Sequence, residues 1–235
     1  MENLPFYVPI VFILTTFLAI IIFAWTVYHS TEKPNKRKAN FTFLILLLWM
    51  QIQSMISLKG LYSDYLDMLP PLFFILGILP NFLVMIFLFS TKKGQAFIDS
   101  LPLYNLTYLN LVRIPVEFVL LWLSIGHLIP TIMTFEGWNF DILAGLSAPF
   151  IIYFGYKKNK IGKTGLIVWN VLGICLLTII VVIALLSAPF PLQQLAFDHP
   201  NVGVLHFPFS WLPTLIVPLV FFGHFVSIRQ LLKQE

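Results

Sequence analysis

Long apolar runs, broken by short polar ones, divide the chain into seven segments. Each comes close to the ~20 residues that an α-helix needs to cross a hydrocarbon core. They cover roughly 5–28, 39–58, 69–90, 102–125, 140–156, 164–186 and 207–232. The fifth is the shortest. The pattern predicts an all-α fold: one polytopic transmembrane domain over residues 1–235, built as a seven-transmembrane-helix bundle.

Composition supports the membrane reading. The chain is 59% hydrophobic and only 10% charged, with a mean hydropathy of +0.90. A soluble domain typically carries about 25% charged residues, and so few could not cover a water-facing surface. The net charge of +4 lies in short connections and forms no patch, so no nucleic-acid partner is expected. Its distribution predicts orientation. Lys33, Lys36, Arg37 and Lys38 follow the first segment, and Lys92 and Lys93 follow the third. Lys157, Lys158, Lys160 and Lys163 follow the fifth, and Arg229 and Lys233 end the chain. Twelve of the 14 basic residues thus share one side, leaving Lys59 opposite and Arg113 inside a segment. Positive residues stay in the cytoplasm, which puts the N-terminus outside and the C-terminus inside a cell membrane.

Other local signals add little. The only cysteine, Cys175, lies in an apolar run, so no internal disulfide is expected. The first segment lacks a basic leader and is too long for a cleaved signal. The sequons at Asn40 and Asn105 fall at the inner face and carry no meaning there.

The fourth segment carries the chemistry. Arg113 and Glu117 are four residues apart near its middle, where an ionisable group costs about 2.5–3.5 kcal/mol. At about 100° per residue, Asn110, Arg113, Glu117 and Ser124 share one narrow face, with Thr107 and His127 at its edges. Pro115 frees the carbonyl of Leu111 between them, so a polar, hydrated site is expected. Two readings stay open. In one, Arg113 and Glu117 neutralise each other and lock the helix to its neighbours, with Gln51, Gln53, Asn81 and Asn170 completing the network. In the other, the planar fork of Arg113 binds a carboxylate or phosphate and Glu117 is its protonatable partner. The ligand-binding candidates are therefore Asn110, Arg113, Glu117, Ser124 and His127.

Polar and aromatic residues mark the outward connections. Glu136, Asn139, Asp141 and Gln194, with Asp198, His199 and His206, are expected at an outer mouth. An interfacial aromatic belt with solvated acids is the plainer reading of the same residues. A metal is conceivable there, but no HExxH, HxxxH or CxxC spacing supports one, and no cofactor is expected. Haem between His29 and His224 fails on mismatched depth, and His224 is expected to hydrogen-bond a neighbour. A retinal Schiff base needs a lysine deep in a segment, and none lies there. The histidine spacing of ceramidase-like zinc hydrolases is absent, since His206 and His224 are 18 residues apart. The three-one-three sugar transporters match in topology, but segments one to three and five to seven show no repeat. Prolines recur inside segments at Pro80, Pro115, Pro149, Pro213 and Pro218, and Ala144, Gly145 and Ala148 offer a close-packing surface.

Several runs resemble uncharacterised seven-helix integral membrane proteins of Bacteroidota-type bacteria. They are Phe97–Pro102, Val112–Glu117, Met133–Asp141 and Ala196–Asn201. The resemblance implies residence in a bacterial inner membrane and carries no activity.

The leading expectation is therefore a protein that binds, and in a fuller version transports, a small anionic or amphipathic molecule in a cavity lined by the fourth segment. An enzyme acting on a lipid at the outer face and an accessory or sensory subunit are the alternatives. The bilayer is the expected partner, and the sequence does not fix the oligomeric state.

Overall fold

The computed structural model describes residues 4–30 and 35–233; Lys33 lies outside them. Among the described residues, eight helices of eight residues or more follow one another: α1 Tyr7–Tyr28, α2 Lys36–Leu58, α3 Phe73–Ser90, α4 Lys92–Asp99, α5 Leu103–Ile125, α6 Ile142–Lys157, α7 Lys163–Ser187 and α8 Leu212–Lys233. No strand occurs among the described residues. Six of the eight are long and apolar enough to cross a membrane: α1, α2, α3, α5, α7 and α8. Their outward faces carry side chains such as Leu14, Leu48, Phe87 and Leu172, all more than half exposed. That is the arrangement for contact with lipid.

Local contacts sort the helix ends into two groups. At one end, Asp99 of α4 pairs with Arg229 (2.9 Å) and Lys233 (2.6 Å) of α8, and Lys157 sits over the Tyr104 ring. At the other end, Tyr7 meets Trp122 edge to face, and Ser57 donates to the Leu205 carbonyl. The basic residues Lys36–Lys38, Lys92, Lys93 and Lys157–Lys163 belong to connections at the first, basic end.

The fifth apolar segment is a shorter element than the other six. α6 has 16 residues, roughly 24 Å at 1.5 Å per residue against a hydrocarbon thickness of about 30 Å. What precedes it is a loop that turns back into the bundle. Met133, Thr134 and Asn139 are buried, and Asn139 reaches Glu117, eight residues short of the end of α5. That places it roughly 12 Å below the helix end. The loop closes tightly at Gly137, where a Cβ would lie 2.5 Å from the Thr131 carbonyl oxygen. Backbone at such depth is tolerated only when protein covers it, as it is here. The Leu128 carbonyl ties this loop to the connection between α7 and α8 by accepting from the Val202 and Gly203 amides (3.1 and 2.8 Å).

Prolines explain polar side chains that the sequence alone left unplaced. Pro80 deprives the Leu76 carbonyl of its ordinary helical donor, and Gln53 Nε2 of α2 supplies one at 3.0 Å. Pro218 does the same to Thr214, whose carbonyl accepts from Trp49 Nε1 (2.8 Å) and Asn81 Nδ2 (3.0 Å). The helix widens at both places, over Phe73–Ile78 and Leu212–Ile216. Gln53 and Asn81 therefore bridge helices at broken backbone positions instead of serving the Arg113 network, and Gln51 is exposed.

Candidate functional site

Arg113 and Glu117 sit on the buried face of α5, at 3% and 1% exposure. Helical geometry alone puts them side by side, yet each takes a different partner. Arg113 Nε lies 3.3 Å from Asp141 Oδ2, and its Nη2 donates to the Gly173 carbonyl of α7 at 3.1 Å. Glu117 accepts from Asn139 Nδ2 at both oxygens, 2.8 and 2.7 Å. The same amide nitrogen also donates to the Met133 carbonyl at 2.9 Å, so two N–H bonds serve three oxygens. In place of the mutual neutralisation that one of the two readings required, two cross-links run from α5 to the inward loop.

The site is electrically unbalanced. One guanidinium stands beside two carboxylates, an excess of one negative charge unless the trio holds a proton. It is also under-bonded: Arg113 Nη1 and Asp141 Oδ1 have no hydrogen-bond partner within the chain, and neither does Asn110 Oδ1 one turn earlier on α5; Arg113 Nε meets Asp141 as an ion pair only. Unpaired buried polar atoms cost about 1–3 kcal/mol each unless a water or ligand answers them. A cavity of about 40 Å³ lies against Arg113, Glu117 and Asp141, with space for on the order of three waters or one small polar group.

Close packing on both sides fixes the arginine. A Cβ on Gly145 of α6 would come 2.9 Å from Ile114 and 3.3 Å from the Cβ of Arg113. A Cβ on Gly173 would come 2.4 Å from His224 Cε1. His224 Nδ1 bonds Asn170 Oδ1 at 2.9 Å, so this histidine does bond a neighbour, and Asn170 serves it instead of the Arg113–Glu117 pair. Asn170 Nδ2 is donated to the Leu166 carbonyl, so the histidine supplies the proton and its buried Nε2 is left without a partner.

The small chamber has an apolar neighbour. A cleft of about 190 Å³ shares the side chains of Leu120, Ile180, Leu212 and Val217 with it. It runs between α3, α7 and α8, where Phe82 and Phe225 are exposed on the lipid-facing surface. Asn201, Val204 and Leu205 of the connection between α7 and α8 line it as well. Asn201 donates to the Ala184 carbonyl and leaves Oδ1 unpartnered.

The predicted site residues divide accordingly. Arg113 and Glu117 come together with Asn139 and Asp141, two residues expected at an outer mouth; both are buried because the loop folds inward. Asn110 is buried one turn earlier on α5, in a tightened stretch over Tyr108–Val112. Ser124 bonds Thr131 in the connection between α5 and α6 (3.2 Å) and stays outside the cluster. His127 is exposed and stacks on His199 at 5.1 Å. Glu136, Gln194 and Asp198 are exposed too. His206 is half-buried, and burial holds its pKa below the ordinary value, with Asp64 pulling the other way. No hydrogen bond or ion pair joins these outer side chains among the described residues, and no group of three or more His, Cys, Asp or Glu side chains forms a metal site there. Gly173 and Met133 were not anticipated; for the first, a glycine inside an otherwise apolar helix was the only available signal.

No family model, no curated protein and no solved structure matches the chain.

Proposed function

We propose that this protein binds a small amphipathic molecule that enters sideways from the bilayer. Its apolar body would occupy the cleft between α3, α7 and α8, and its polar head would reach Arg113 and Asp141. The observation that carries this reading is the shared wall between an apolar cleft and a small chamber that borders Arg113, Glu117 and Asp141. Mostly apolar pockets with a few convergent polar groups are the usual form of a small-molecule site. Charge narrows the head. Asp141 already faces the guanidinium, and Glu117 adds a second carboxylate, so an anionic head is disfavoured. A neutral group with both a donor and an acceptor, such as a hydroxyl or amide, answers Arg113 Nη1 and Asp141 Oδ1 together.

The protein is proposed to reside in a bacterial inner membrane with its basic end in the cytoplasm, N-terminus outside. Charge distribution and the resemblance noted above support this placement. α6 would serve as a seventh, abbreviated crossing, completed by the inward loop. Because Arg113, Glu117 and Asp141 are all buried, transport would require a second conformation that opens the chamber toward the other end.

Binding of tritiated hexadecanol, palmitate and hexadecane to detergent-purified protein tests the reading. Saturable hexadecanol binding is expected, stronger than that of either competitor, and lost when Ala184→Trp fills the cleft. Absence of saturable binding, or binding indifferent to Ala184→Trp, would overturn it.

A further inference from the structure

A second apolar space lies on another side of the bundle. α2 and α3 touch at the Gln53–Leu76 hydrogen bond and splay apart toward the basic end, leaving a groove of about 660 Å³ floored by α8. Its walls include Phe41 and Ile45 of α2 and Val84 and Phe87 of α3, and Lys38 stands at its mouth. From Lys38 to Trp49 the groove follows α2 over 11 residue-to-residue steps, roughly 16 Å. That is about half the hydrocarbon thickness, the depth of one leaflet. The Trp49 and Asn81 donors deep within it are already engaged by Thr214 and Gly77 carbonyls. The groove thus presents little but hydrocarbon until its mouth.

The mouth is cationic. Lys36, Arg37 and Lys38 form the first turn of α2, and Lys92 and Lys93 open α4 directly after the α3 wall. All five are exposed, and no ion pair engages them among the described residues. Asp99, the acid on α4, is held by Arg229 and Lys233. The N-terminus of α2, where Lys38 lines the groove, opens at this mouth and adds the positive end of its helix dipole.

We propose that this groove is a binding site for an anionic phospholipid, with one acyl chain between α2 and α3 and its phosphate at Lys38, Lys92 and Lys93. An apolar slot one leaflet deep, ending in unpaired cations, complements such a lipid in both shape and charge. Basic pockets between membrane helices bind anionic headgroups by the same means. The site is separate from the cleft beside Arg113 and does not depend on what that cleft binds.

The test is native mass spectrometry of the delipidated full-length protein titrated with dioleoylphosphatidylglycerol or dioleoylphosphatidylcholine. The glycerol lipid should be retained preferentially, by about fivefold for each lysine that reaches the phosphate. The triple variant Lys38→Ala, Lys92→Ala, Lys93→Ala should bring the two lipids to parity, and Ile45→Trp, which fills the groove, should release both. These positions are exposed, so thermal unfolding of the variants should match the parent, with Leu14→Trp on α1 as the lipid-facing control. Parity in the parent protein would overturn the proposal. So would a preference that survives Ile45→Trp, which would mean that surface charge alone gathers the lipid.

Discussion

At Arg113 the neighbour in space outweighs the neighbour in sequence. Glu117 is one turn away, but the ion pair goes to Asp141, 28 residues further along. Removing one member of a buried pair strands the other, at about 3–5 kcal/mol, whereas replacing both by apolar groups is often neutral. Arg113→Leu should therefore destabilise strongly, and Arg113→Leu combined with Asp141→Leu should recover most of the loss in equilibrium unfolding in mixed micelles. Additive losses would contradict the pairing. Glu117 behaves differently because no cation is its direct partner. Glu117→Gln keeps an acceptor for Asn139 and removes the excess negative charge, so stability should hold within about 1 kcal/mol of the parent. A larger loss would show that the ionised carboxylate is required.

Between helices, the decisive contacts are close approaches and broken backbone. Gly173→Ala would drive a methyl group into the His224 ring, an overpacking that costs about 1–3 kcal/mol. Gln53→Ala would strand the Leu76 carbonyl at a similar cost; unchanged unfolding of either variant would remove these contacts from the account. The six long helices were legible in the sequence because twenty apolar residues in a row have few other uses. The polar positions were legible as a group, since a polar side chain in a membrane helix needs a partner. Which partner was not legible. Pro80 and Pro218 announce freed carbonyls at Leu76 and Thr214, yet only tertiary packing brings Gln53, Trp49 and Asn81 to them. The inward loop was hidden for a different reason. Glu136, Trp138 and Asp141 read as an interfacial belt, and local sequence does not distinguish a belt from a loop whose polar side chains are answered inside the bundle.

For the molecule as a whole, the Asp99 clamp joins the connection after α3 to the end of α8. The hydrogen bond from Arg229, aided by Lys233, holds the Asp99 carboxyl below its ordinary pKa. A depressed folded value means the clamp contributes fully above the unfolded pKa of about 3.9. That contribution is lost as pH falls through the lower folded value. Hydrogen exchange across Lys92–Asp99, corrected for intrinsic rates, should stay flat from neutral pH down to about 4 and rise below it. Asp99→Asn should be unprotected throughout. The inward loop, finally, bears on how the chain is made. α6 emerges from the ribosome with Asp141 at its leading end and too little length to cross alone, while the guanidinium it needs is already in place on α5. Its integration should thus wait on its predecessor: glycan-acceptor mapping of truncated chains should find α6 seated stably behind the parent α5 and poorly behind Arg113→Leu.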